Sequence, residues 1–134
     1  MKLDGPIIDT NVVLRLLRSE DAQHSDALSL LEEVRLAGRQ LVLLDVVIAE
    51  CVYVLTSCYK IDRMRVAAAL AKILDHEAIG VATPEILRDA LGRYSMTKLH
   101  FVDCYLAAMA KAAGRKVATF DKGFAYFGDV ETLP

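Results

Sequence analysis

The chain has 134 residues, 54% of them hydrophobic and 25% charged, with seven glycines and three prolines. That is enough for one packed domain and argues for a packed globule over a disordered chain. A formal net charge of −2 excludes a strongly basic nucleic-acid footprint, although cations held by an acidic site would reverse the local field.

Tryptophan is absent and aromatics make up only 7% of the chain, so no platform for stacking bases is visible. Cys51, Cys58 and Cys104 form no CxxC pair and read as reduced thiols. The apolar segment before Asp9 is too short for a signal peptide. No run approaches the roughly 20 apolar residues needed to cross a bilayer, and the expected location is cytoplasmic.

In chain order, Pro6–Ile8 reads as a first strand and VVLRLLR as a short helix. An amphipathic helix follows over Ala22–Ala37, stopped by Gly38. QLVLLD is an aliphatic strand, with Asp45 placed to cap a helix from Val46 to about Tyr59, and Asp62 caps another over Arg63–Leu74. AIGVA gives a third strand. Thr83, Pro84 and Glu85 then resemble a cap and an acidic first turn opening a helix towards Tyr94. Ser95–Lys98 reads as a loop and FVDCYLAAMAKAAG as a helix with a glycine stop. KVATFD is a fourth strand and the DVETL tail offers a fifth. Strands alternating with helices favour an α/β class with a mainly parallel sheet, whose binding sites lie at the carboxyl ends of strands.

Four acids stand out against this pattern. Asp9 ends the first apolar run, and Asp121 occupies the comparable place after VATF. Each also suits a helix or turn cap. Glu50 interrupts the apolar VVIAECVYVL, and Asp103 interrupts FVDCYLAAMA one turn before Ala107. A surface glutamate and a capping aspartate are the plain alternatives. If the four meet on one rim, their repulsion calls for positive charge, and Mg²⁺ or Mn²⁺ prefers oxygen ligands of this kind. His24, His76 and His100 lack zinc-site spacing, and no serine sits in a nucleophile elbow.

DTN at 9–11, Glu50 within its apolar helix, FVDCYLAA at 101–108 and TFDKGF at 119–124 together resemble the successive acidic motifs of a PIN-domain ribonuclease. The likeness is greatest to the compact toxins of bacterial and archaeal VapBC-type toxin–antitoxin pairs, and it spans residues 1–134 as one domain. It implies a PIN-like fold with a central, mainly parallel sheet of four or five strands flanked by helices. It also implies endoribonuclease activity dependent on one or two Mg²⁺ or Mn²⁺ ions, leaving 5′-phosphate and 3′-hydroxyl ends. By the same resemblance Asp9, Glu50, Asp103 and Asp121 bind metal and carry catalysis, supported by Thr10, Asn11 and Thr119. Gly123 stands where some relatives carry a further acid. RNA is the implied substrate, with a cognate antitoxin and a homodimer as implied assemblies. Arg93, Lys98, His100 and Lys122 are candidate RNA contacts. The early VVLRLL segment and Leu28, Leu31 and Val34 are candidates for an antitoxin groove or for ordinary core. Competing readings are a PIN-like RNA-processing or flap-type nuclease, a metal-dependent phosphatase for small molecules, and a non-catalytic α/β interaction module.

Overall fold

A computed structural model describes residues 3–134. They divide into two units, one running to Ala82 and the other from Thr83 to Pro134. In the first, helices α1 (Thr10–Leu17) and α2 (His24–Leu36) precede strand β1 (Leu41–Val42). Helix α3 (Asp45–Tyr53) continues as a π-helical turn over Val54–Cys58, followed by α4 (Arg63–Leu74) and β2 (Ile79–Gly80). β1 and β2 pair in parallel, Leu41 opposite Ile79. Ile7 adds a parallel bridge to Val42, and Ile8 donates its N–H to the Val42 carbonyl at 3.1 Å.

The core of this unit is aliphatic. Val13, Leu14 and Leu16 of α1 are buried, as are Leu31 of α2, Ile48 and Leu55, and Val66 and Leu70 of α4. The aliphatics of VVLRLL and Leu31 therefore serve largely as core, whereas Leu28 is 45% exposed. Asp62 caps α4 as expected, its Oδ1 accepting from the Arg65 N–H at 3.0 Å.

Several helix boundaries differ from the sequence reading, and three of them have a local reason. α2 begins at His24 instead of Ala22, because the Asp21 carboxylate accepts from the Gln23 N–H at 2.8 Å and holds a turn there. His24 Nδ1 donates to the Arg15 carbonyl at 2.6 Å, tying α2 to α1. Asp45 is the first residue of α3, with Leu44 at the cap position; its charge still suits the positive helix end. The α form of this helix stops at Tyr53. There the Thr56 hydroxyl donates to the Val52 carbonyl at 2.7 Å and competes with the backbone ladder, while the Tyr59 N–H reaches back to Val54 at 3.2 Å. The guanidinium of Arg18 lies 3.5 Å over the Tyr59 ring.

In the second unit, helices α5 (Pro84–Met96) and α6 (Phe101–Ala113) lead to β3 (Val117–Ala118), a 3₁₀ turn (Lys122–Tyr126) and β4 (Thr132–Leu133). α5 runs two residues beyond the expected end. The two helices pack together through Leu87, Ala90, Leu91 and Tyr94 on α5 and Phe101, Cys104, Ala107 and Ala108 on α6, all buried. The small residues permit close approach, and Tyr94 meets Phe101 edge-on at 6.0 Å. Gly114 closes α6 at φ +63°, a left-handed conformation that glycine adopts without a Cβ penalty.

β3 and β4 are also parallel. Every strand pairing among the described residues is therefore parallel, in keeping with the expected α/β class. The expected central sheet of four or five strands is realised as two two-stranded sheets, one in each unit, plus the Ile7 bridge. Each ladder is only two residues long because the chain passes into a helix or turn within a few residues of it.

Arg93 is the polar tie of the second unit. Its guanidinium donates to both oxygens of Asp129, at 2.9 and 2.6 Å, and to Asp89 at 3.0 and 3.3 Å. It also lies 5.0 Å from the centre of the Phe127 ring. The bonds from Arg93 hold the Asp129 carboxyl below its ordinary 3.8. A depressed folded-state value stabilises the fold above the unfolded value, and that contribution is lost as pH falls through the folded one. Asp89 and Asp129 remain accessible enough to regain water, so Arg93→Ala is expected to cost about 1–2 kcal/mol. Urea titrations of the two proteins should show the gap narrowing below about pH 4; a gap independent of pH would contradict this account.

The three thiols differ sharply. Cys51 and Cys104 are buried and Cys58 is exposed. Burial, with a smaller contribution from the Glu50 charge, pushes the Cys51 thiol up to about 12. A colourimetric thiol reagent at neutral pH should titrate one group in the native protein and three after unfolding.

Candidate active site

In the first unit, Asp9 sits where the chain leaves its bridge at Ile7 and enters α1. It is the cap residue, in extended backbone, and its Oδ1 accepts from the Val12 N–H at 3.0 Å. The capping alternative therefore holds for this residue. One carboxylate oxygen is engaged by the helix and the second is available on an exposed side chain. Thr10 and Asn11 form the first turn behind it, Thr10 half-buried and Asn11 exposed.

Glu50 lies in the middle of α3 and is exposed. Val46 and Tyr53, four residues before and three after, share its face and are 72% and 65% exposed. The Glu50 carboxylate has neither a hydrogen bond nor an ion pair among the described residues. It is thus an unneutralised charge on an otherwise apolar exposed stripe.

In the second unit, Asp103 occupies the first turn of α6 and is half-buried. The helix dipole favours an anion there, yet the carboxylate has no hydrogen-bond or ion-pair partner among the described residues. His100 stands at the cap position without a side-chain capping bond and is exposed, as is Lys98 in the preceding loop.

Asp121 caps the 3₁₀ turn, its Oδ1 accepting from the Gly123 N–H at 2.8 Å. Its own N–H donates to the Thr119 hydroxyl at 2.9 Å, so Thr119 fixes the backbone that presents the acid. The turn is tight. A Cβ on Gly123 would stand 3.1 Å from Asp121 Oδ1 and 2.9 Å from Leu99 Cδ2, which leaves little room for a further acid at that position. Lys122 is exposed, whereas Arg93 has its donors spent on Asp89 and Asp129.

None of the four acids forms an ion pair with lysine, arginine or histidine among the described residues. By donor chemistry they suit a hard divalent cation: all oxygen, all anionic and without a protein counter-charge. Within neither unit taken by itself do three His, Cys, Asp or Glu side chains gather into a metal-holding group among the described residues. The sequence reading passed over Phe120, between Thr119 and Asp121, whose side chain is 96% exposed. The available signal was an apolar aromatic at the rim position next to an acid.

Residues 7–130 match the family model described as PIN domain. The chain is 30% identical over 123 residues to a VapC ribonuclease of Aquifex aeolicus (strain VF5), covering 91% of each protein. Among solved structures it is similar to Mycobacterium tuberculosis VapC20, a sarcin–ricin-loop-cleaving toxin. That match has 24% identity and a TM-score of 0.42, and covers 97% of this chain and 100% of the other. With the family model spanning nearly the whole sequence and all four acids within it, the chain belongs to the PIN domain family.

Proposed function

We propose that this protein is a divalent-metal-dependent endoribonuclease and the toxin of a toxin–antitoxin pair, with residues 1–134 acting as one catalytic domain. The observation that carries the reading is the ordered set Asp9, Glu50, Asp103 and Asp121, each without a protein cation, in a chain that belongs to the PIN domain family. The similarity to a VapC ribonuclease over 91% of the sequence supports RNA as the substrate, and a single family model running through both units supports one domain.

Asp9, Glu50, Asp103 and Asp121 are the residues that would hold Mg²⁺ or Mn²⁺. When bound, such an ion relieves charge on the phosphate and acidifies the attacking water. The chain's own contribution is to hold carboxylates oriented. Asp9 and Asp121 are fixed by the backbone amides they cap, and Asp103 stands in the first turn of α6. Lys98, His100 and Lys122 are exposed donors for RNA phosphates; Arg93 serves the fold instead. Hydrolysis by water with departure of the 3′ oxygen leaves 5′-phosphate and 3′-hydroxyl ends. A cognate antitoxin and a homodimer complete the proposed assembly, in the cytoplasm. No helix among the described residues is long and apolar enough to cross a membrane.

Asp9→Asn retains a capping oxygen, which makes it a clean test of charge. We expect Asp9→Asn, Glu50→Gln and Asp103→Asn each to lower RNA cleavage by about a hundredfold or more, the scale of losing a group that stabilises developing charge, while thermal unfolding changes little. Gel assays of purified protein on single-stranded RNA, with sequencing of both product ends, measure this. Cleavage that persists undiminished in folded Asp9→Asn would refute the role of that residue.

Metal removal gives a separate check. EDTA should abolish cleavage, and added Mg²⁺ or Mn²⁺ should restore it; activity that survives exhaustive chelation would rule out the metal dependence. Expression of the protein should arrest growth, with relief by the product of an adjacent gene. RNA cleavage without arrest would favour the processing role.

A further inference from the structure

We propose that Phe120 is a stacking platform for a base of single-stranded RNA beside the Asp121 carboxylate, an inference that rests on the ribonuclease reading above. A solitary exposed apolar side chain is ordinary, but three features set this one apart.

The first is its degree of exposure. At 96% it is the most exposed of the large hydrophobic side chains among the described residues, and it contributes nothing to the core. The second is how firmly its backbone is held. On one side the Thr119 N–H donates to the Leu133 carbonyl at 2.8 Å. On the other the Asp121 N–H donates to the Thr119 hydroxyl at 2.9 Å, and Asp121 in turn caps the Gly123 N–H at 2.8 Å. Phe120 is therefore presented from a pinned turn, and with only two side-chain torsions it loses little entropy on binding. The third is its company. Phe120, Asp121 and Lys122 line one open cavity of about 490 Å³ with Thr119, Thr132 and Phe124, a volume suited to a nucleotide. An aromatic face, a cation for phosphate and an acid at one rim are complementary to a base with its attached phosphate, and stacking of this kind tolerates any base.

Phe120→Trp supplies the test, since it would be the sole tryptophan in the chain. In an Asp9→Asn background with Mg²⁺ present, a single-stranded ten-nucleotide RNA should quench its fluorescence. An abasic ribose-phosphate oligomer of equal length should not. Phe120→Ala should weaken binding of the RNA by about 5- to 100-fold and, with Asp9 restored, raise KM with little change in kcat. Phe120→Trp and Phe120→Tyr should recover affinity.

Equal binding by folded Phe120→Ala, or equal quenching by the abasic oligomer, overturns the platform. If the wild-type protein still cleaves RNA in that case, the ribonuclease reading survives its loss; if it neither binds nor cleaves RNA, both fall. Because Phe120 is outside the core, the alanine variant should fold, and far-ultraviolet circular dichroism checks it.

Discussion

The constraint on which this protein turns is that a carboxylate leaving a short strand is asked to end one element and begin the next. Asp9 and Asp121 each give one oxygen to a backbone amide, Val12 in one unit and Gly123 in the other. That bond satisfies an orphan donor of the following turn and fixes the direction of the second oxygen. Structural and chemical readings of these acids are therefore complementary. A capped carboxylate is positioned before any ligand arrives, so part of the ordering cost of binding is already met by folding.

Glu50 and Asp103 are arranged on a different principle. Some acids of the chain are paired: Arg35 takes Glu32 and Glu77, Arg93 takes Asp89 and Asp129, and Lys116 approaches Glu131. Glu50 and Asp103 are left outside these pairings and rest on helices whose other side chains are mostly apolar.

Much of this was legible in the letters because the signals were local. Asp62 caps α4 through the Arg65 amide, Gly114 stops α6, and Pro84 opens α5, each by a mechanism confined to a few neighbouring residues. Glu50 and Asp103 were readable as interruptions of apolar helices, and Asp9 and Asp121 as acids that end apolar runs. What escaped depended on competition or distance. The π turn after Tyr53 follows from one threonine hydroxyl claiming the Val52 carbonyl, a contest that residue propensities do not decide. Arg93 reads as a free cation beside Tyr94 until Asp129, thirty-six positions later, closes on its guanidinium. Phe120 was discounted with the other sparse aromatics, since composition counts rings without saying which of them face solvent.

The crowding at Gly123 bears on how the turn around Asp121 can change over evolutionary time. A single-base change turns a glycine codon into one for aspartate or glutamate, so a further carboxylate beside Asp121 is genetically near at hand. Sterically it is remote: the new side chain would begin 3.1 Å from an oxygen already committed to the amide of that very residue, and would bring a like charge with it. An acid at this point would have to push aside the end of the Leu99 side chain and shift the Asp121 carboxylate that caps the turn.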